Sequence, residues 1–174
     1  MFRDYFNLLK RLKKIKLLLT DVDGVWTDGS IYYGDGGNDI RRFHVHDGIG
    51  IKRLMEVGVE IAVVSSYFSE AVQRRCQQLG IKDIFLGVKN KEEVLERIIR
   101  QKGYNRDELA YMGDDLPDAK LFEKVGIAIT VSNAPAEVRK KADYVTMRMG
   151  GHGALREVSD LILEVKKKCW KNLM

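Results

Sequence analysis

Proline, cysteine and histidine are scarce in this sequence: two, two and three among 174 residues. Two cysteines, Cys76 and Cys169, are too few for the disulfide framework of a small secreted scaffold and are expected as free thiols. Lys16 interrupts the apolar segment after the basic N-terminus, and no small-residue cleavage site follows. No signal peptide is therefore expected, and a cytoplasmic location is. The longest apolar runs are a few residues, as at 61–64, too short to span a bilayer. There is no internal repeat, low-complexity run or linker rich in Pro, Gly or Ser, so a single domain over 1–174 is expected. Gly48-x-Gly50 lacks the third glycine of a dinucleotide fingerprint. His44 and His46 read as alternating on one strand face, with no third metal ligand evident.

What is present suits a soluble globular chain: 45% hydrophobic and 32% charged residues, with a formal net charge of +5. The charge is uneven, because residues 1–16 and 165–174 together carry +9 and the middle −4. The basic ends read as solvated helix faces. They lack the aromatic interleaving of a nucleic-acid surface, so neither nucleic acid nor membrane is expected as a partner. The acidic middle suits a site that holds a divalent cation.

Short β-branched runs alternate with longer amphipathic ones. Strands are expected at 17–20, 61–64, 84–86, 109–112, 127–131 and 144–146, mostly continuously apolar, as strands buried on both faces are. Asp47, Ser69 and Asn90 are placed to cap helices that Gly58, Gly80 and Gly103 close. Pro117 sits where a first-turn proline is tolerated, and a last helix starts near Ala154. Such alternation predicts an α/β three-layer, Rossmann-like fold with a mainly parallel sheet and no cap domain. Residues 1–14 read as an amphipathic helix with Phe2, Phe6, Leu9 and Leu12 on one side. Residues 30–44, around Gly34-Asp35-Gly36-Gly37-Asn38, read as a β-hairpin flap, and 150–174 as a C-terminal helix with a basic tail.

Chemistry concentrates at strand exits. Asp21-Val22-Asp23-Gly24 places two carboxylates just past the first strand, where one can act as nucleophile and the other as proton donor. Alone, the pair also reads as an ordinary turn out of a strand. Gly113-Asp114-Asp115-Leu116-Pro117-Asp118 follows another buried strand. One of these acids can cap the next helix, but capping does not need three. Carboxylates crowded at one sheet edge call for a hard cation such as Mg²⁺. Ser65 and Lys91, at two further exits, can donate to a phosphate or serve as plain surface residues.

The order of these four pieces resembles that of the haloacid-dehalogenase-like phosphohydrolases. More narrowly, Asp21–Gly29, Phe43-His44-Val45-His46-Asp47-Gly48, Gly113-Asp114-Asp115 and Gly150-Gly151-His152-Gly153-Ala154-Leu155-Arg156-Glu157 are similar to the capless branch of octulosonate 8-phosphate phosphatases, over about residues 15–165. The resemblance implies that Asp21 attacks phosphorus to form an aspartyl-phosphate and that Asp23 protonates the leaving oxygen and then activates water. It implies Mg²⁺ on the Asp21 carboxylate, the Asp23 carbonyl and Asp114, with Asp115 and Asp118 orienting those ligands. Ser65 and Lys91 would hold the phosphoryl oxygens. Substrate contacts would fall on Asp23, His44, Val45, His46, Asp47, Gly48, Lys52, Tyr67, Arg75 and Lys91. Family members usually read Asn-x-Arg/Lys-Asp-Gly at 44–48 and Thr-Gly-Arg at 65–67, so Tyr67 replaces a cationic fork here and leaves Lys52 and Arg75 as anion partners. The implied activity is that of a hydrolase of phosphoric monoesters, cleaving 3-deoxy-D-manno-octulosonate 8-phosphate in lipopolysaccharide precursor synthesis. The implied assembly is a homotetramer in which the flap and residues 150–153 cover a neighbour's cleft. A nine-carbon acid 9-phosphate as substrate, or a non-catalytic oligomerising module, stays open.

Overall fold

The computed structural model describes residues 2–33 and 39–170, and the side chains of 5–32 and 39–166. Residues 34–38, the Phe2 side chain, the Cys169 thiol and residues 171–174 of the basic tail lie outside the described residues. The chain runs α1 (Phe2–Lys14), β1 (Leu17–Thr20), β2 (Tyr32–Tyr33), β3 (Asp39–Ile40), α2 (Val45–Glu56), β4 (Glu60–Val64), α3 (Glu70–Leu79) and β5 (Asp83–Phe85). It continues through α4 (Lys91–Lys102), a 3₁₀ turn at Arg106–Glu108, β6 (Leu109–Gly113), α5 (Leu116–Phe122), β7 (Ile127–Thr130), α6 (Ala136–Arg139), β8 (Tyr144–Val145) and α7 (Ala154–Trp170).

Six strands form one sheet in the order β5-β4-β1-β6-β7-β8, every neighbouring pair parallel. Leu17, Leu18 and Leu19 are wholly buried, as a central strand covered on both faces requires. Burying each such side chain contributes about 1.5–3 kcal/mol. Helix α7 packs on α2 and α1, and α2 on α3, while α4 packs on α5, which lies against β6 and β7. The chain turns one way from β1 to β4 and the other way from β5 to β6. The exits of β1 and β6 therefore flank the point where strand order reverses, and open α/β sheets bind ligands there. Among the described residues no helix is long and apolar enough to cross a membrane.

Helix ends follow local chemistry at three of the four expected places. Ser69 accepts the Val72 N–H, Asn90 accepts the Glu92 N–H, and Asp115 caps α5 ahead of Pro117. Asp47 is the exception. Helix α2 begins three residues earlier than that cap would set it, with His44 at its N-cap and no side-chain cap. The Asp47 carboxylate is buried and accepts the Arg156 N–H at 2.7 Å, in the first turn of α7. It therefore caps a helix more than a hundred residues further on.

Other expectations shift. The hairpin forms, but its strands are only two residues each, pairing Tyr32 with Ile40 and Tyr33 with Asp39. His44 and His46 consequently share no strand. They lie at the start of α2, rings 5.0 Å apart and edge-on. In α1 Leu8 and Leu12 face inward, continued by Ile15 just past the helix, Leu9 is partly buried against the core, and Phe6 is 62% exposed. Helix α7 begins at Ala154, and 150–153 is a turn ahead of it. Gly150 and Gly151 pack on the backbone of Gly24 to Asp28 of the same protomer, where a β-carbon would collide with the Gly24 carbonyl and the Asp28 nitrogen.

Candidate active site

Strand β1 delivers Asp21 to the carboxyl edge of the sheet, where its N–H is held by the Met112 carbonyl at 2.9 Å. The loop beyond is fixed from within. Trp26 Nε1 donates to Thr20 Oγ1, which donates to the Asp21 carbonyl. Gly24 has φ +79°, and a β-carbon there would lie 1.9 Å from Asp114 Oδ2. The glycine of Asp-x-Asp-Gly thus provides both the left-handed turn and the room for the second acidic loop.

Lys91 stands at the first position of α4, its side chain 6% exposed. Its Nζ is 3.0 Å from Asp21 Oδ2 and 2.7 Å from Asp118 Oδ1. Asp118 is committed on both oxygens. Oδ1 also accepts the Tyr111 hydroxyl at 2.6 Å, and Oδ2 accepts the N–H groups of Asp114 and Asp115 at 3.1 and 3.3 Å. This last contact is half of the capping box that starts α5. A β-carbon at Gly113 would sit 2.3 Å from that of Asp118, so the small residue lets the aspartate fold back under the loop.

Asp21, Ser65, Lys91, Asp114, Asp115 and Asp118, with Asp23 and Tyr67, line a cleft of about 290 Å³. A larger depression of about 900 Å³ along α4, lined by residues such as Lys89 and Arg97, holds none of the motif residues. The chemistry is in the smaller one. Ser65 is fixed by the Phe85 and Val88 backbone, and its hydroxyl closes a local turn, accepting the Tyr67 N–H and donating to the Tyr67 carbonyl, each at 3.2 Å.

The electrostatics are those of an anion cluster. Burial, then the Asp118 carboxylate, push Asp21 up to about 7 against the pull of Lys91. Burial, then Asp21 and Asp118, push Asp114 up to about 8. Asp23 is raised by burial, with Arg41 pulling the other way. Burial disfavours the Lys91 ammonium, but Asp21 and Asp118 outweigh it and hold the lysine above its usual range.

These residues fit a hard divalent cation. One carboxylate oxygen each of Asp21, Asp114 and Asp118 lie within 4.8 Å of one another. Asp21 Oδ1 is buried with no hydrogen-bond partner among the described residues. Because Asp118 is already committed on both oxygens, Asp21 and Asp114 are the carboxylates with capacity to spare.

The remaining expected contacts do not line this cleft. His44, Val45, His46, Asp47 and Gly48 form the start of α2, Lys52 is exposed one turn on, and the Arg75 guanidinium lies over Gly48. Arg41 was not anticipated from the sequence. Its side chain is wholly buried, with Nε 3.2 Å from Asp23 Oδ1, Nη1 3.2 Å from Asp39 Oδ1, and the guanidinium 5.2 Å from the Tyr67 ring centre. Tyr111, read only as a strand residue, also serves the site through Asp118.

A buried lysine clamped between two carboxylates, at the switch point of a parallel sheet, equips the cleft for transfer of an anionic group to a carboxylate. Residues 64–156 match the model of the haloacid dehalogenase-like hydrolases, and the chain belongs to that family. It is 42% identical over 159 residues to the 3-deoxy-D-manno-octulosonate 8-phosphate phosphatase of Haemophilus influenzae, covering 91% of this chain and 88% of that one. A solved hydrolase of the same superfamily (subfamily III A) from Legionella pneumophila superposes with a TM-score of 0.94 at 41% identity, covering 97% of this chain and 93% of that one. The 3-deoxy-D-manno-octulosonate 8-phosphate phosphatase of Moraxella catarrhalis, solved with magnesium ion, phosphate ion and KDO, superposes with a TM-score of 0.90 at 35% identity, covering 97% of this chain and 98% of that one.

Proposed function

We infer that this chain is a Mg²⁺-dependent phosphomonoesterase that hydrolyses 3-deoxy-D-manno-octulosonate 8-phosphate, and that it does so through an aspartyl-phosphate on Asp21. The observation that carries the chemistry is the Lys91 ammonium held between Asp21 and Asp118. The substrate rests on the likeness to the Haemophilus and Moraxella enzymes.

Asp21, at the floor of the cleft, attacks phosphorus. Asp23, two residues on and 31% exposed, gives its proton to the ester oxygen as the P–O bond breaks. It then takes a proton from the water that hydrolyses the acyl-phosphate. Lys91 and the Ser65 hydroxyl face the phosphoryl oxygens, and Asp118 keeps Lys91 charged and in place. Asp21 and Asp114, with the Asp23 carbonyl, would hold Mg²⁺. When bound there it supplies positive charge that keeps Asp21 ionised and offsets charge on the phosphoryl group. Asp115 orders the loop by starting α5.

The sugar end would meet Tyr67 and Asp23 within the protomer. His44, Val45, His46, Asp47, Gly48, Lys52 and Arg75 would serve it as a separate surface at the start of α2. A homotetramer brings such a surface to a neighbour's cleft. In support, Ile31, Tyr32 and Ile40 of the flap, Val45 and Ile49 of α2, and Met147 and Met149 expose large apolar side chains. The chain acts as one domain, in the cytoplasm, at a step of lipopolysaccharide precursor synthesis.

The test is a panel of octulosonate 8-phosphate, a nine-carbon acid 9-phosphate and a neutral hexose phosphate, each with Mg²⁺ and with EDTA. The octulosonate ester should lead, and chelation should stop turnover. A lead for the neutral hexose phosphate would reject the substrate, and no turnover of any ester with Mg²⁺ would leave only a non-catalytic oligomerising module.

A further inference from the structure

Arg41 is an expensive residue to bury. Its side chain is fully enclosed, yet none of its three guanidinium nitrogens makes a hydrogen bond of good geometry among the described residues. What surrounds it is directional. Asp23 of the nucleophile loop lies against Nε, Asp39 of the hairpin against Nη1, and Tyr67, from the loop after β4, offers its ring to the guanidinium face. Three segments, the loop after β1, the hairpin and the loop after β4, thus converge on one cation. Two carboxylates already balance its charge, so the group is not a free receptor for a further anion. The planar fork and its stacking surface fix the guanidinium in orientation as well as position.

We propose that Arg41 is a positioning residue that aims the Asp23 carboxyl at the leaving-group oxygen and ties that aim to the seating of the hairpin on the cleft. This rests on the phosphomonoesterase reading above, in which Asp23 delivers the proton. Asp23 is otherwise a partly exposed side chain on a loop, and Arg41 is the one cation ion-paired with its buried Oδ1 among the described residues. With Arg41 removed, Asp23 keeps its carboxyl but loses its fixed direction, and a misaimed acid gives up much of its advantage. The loss falls on esters whose alcohol cannot leave without a proton. It spares esters whose leaving group departs as a stable anion.

The experiment compares kcat/KM, which ends at leaving-group departure, for octulosonate 8-phosphate, a neutral hexose 6-phosphate and p-nitrophenyl phosphate. It uses wild-type protein, Arg41→Met and Arg41→Lys, with Mg²⁺ throughout and the thermal midpoint of each variant recorded. Arg41→Met should lose about 10–100-fold on both sugar esters and stay within about threefold on p-nitrophenyl phosphate. Arg41→Lys keeps the buried charge but cannot face both carboxylates and the ring. It should show the same ordering with a smaller loss, and it carries the test if Arg41→Met does not fold. Equal losses on all three substrates would make Arg41 a structural residue only and overturn the proposal. A loss confined to octulosonate 8-phosphate would make it a contact for the sugar carboxylate and overturn it as well. Wild-type protein inactive on all three would instead overturn the phosphomonoesterase reading, before Arg41 is touched.

Discussion

Lys91 Nζ lies 2.7 Å from Asp118 Oδ1, both side chains are buried, and the same ammonium reaches Asp21 at 3.0 Å. Asp118 is thereby a hinge between two duties. It starts α5 by accepting two backbone N–H groups, and it aims the lysine at Asp21.

Replacing Lys91 by Met should therefore act twice. Turnover should fall about 10²–10³-fold, as when one preorganised donor is taken from a developing charge. The carboxylates of Asp21, Asp114 and Asp118 would also lose their buried counter-charge, so without Mg²⁺ stability at neutral pH should drop by about 3–5 kcal/mol. Urea unfolding measures the second effect. A stability equal to wild type at neutral pH in chelator would contradict this account of the cluster.

The raised carboxylates make stability depend on pH in a definite direction. Asp21 at about 7 and Asp114 at about 8 hold protons in the folded state that an unfolded aspartate has already released. The unfolded state binds fewer protons, so stability falls as pH rises from the usual aspartate range, near 4, through 7 to 8. Metal-free protein should thus melt at lower temperature at pH 8 than at pH 5.5. Added Mg²⁺ should recover most of the difference at pH 8 and little at pH 5.5, with protons released on binding. A midpoint that Mg²⁺ raises equally at both values would show that these carboxylates do not hold the ion.

Asp47 caps α7 across a sequence gap of 109 residues. Asp47→Ala should cost about 1–2 kcal/mol, read from denaturant unfolding, and loosen the turn at 150–153 that packs on the loop after β1. Asp47→Asn keeps an acceptor and should lose less. Equal losses for the two would count against the cap.

The sheet was legible because its strands are nearly pure apolar runs separated by amphipathic helices that glycines such as Gly80 and Gly103 close. Ser69 and Asn90 were legible because their partners lie two or three residues away. Asp47 obeys the same chemistry but spends its oxygen on Arg156, which local spacing cannot reveal. In α1 Leu9 and Leu12 face the core as their spacing suggests and Phe6 does not, because Phe6 and Leu8 both fit an apolar periodicity and only packing in the folded chain decides for Leu8. Asp21, Asp23 and Asp114 stood out because acids crowded past buried strands call for a cation, whereas Lys91 alone reads as a surface residue and drew notice only through the order of the four motifs. Arg41 did not, because its contacts with Asp23 and Tyr67 exist only once the hairpin folds back. Asp118 was visible as one more acid, but its grip on Lys91 depends on Tyr111 inside the sheet.

The central claim is that Asp21 carries the phosphoryl group, and trapping tests it most directly. In Asp23→Asn the acyl-phosphate should form from p-nitrophenyl phosphate, whose leaving group needs no proton, and then hydrolyse slowly for want of a base. Acid quench followed by peptide mass spectrometry should find close to one phosphate per chain on the peptide bearing Asp21, and none in Asp21→Asn, which should not turn over. Phosphate on another residue, or undiminished turnover by Asp21→Asn, would contradict the account.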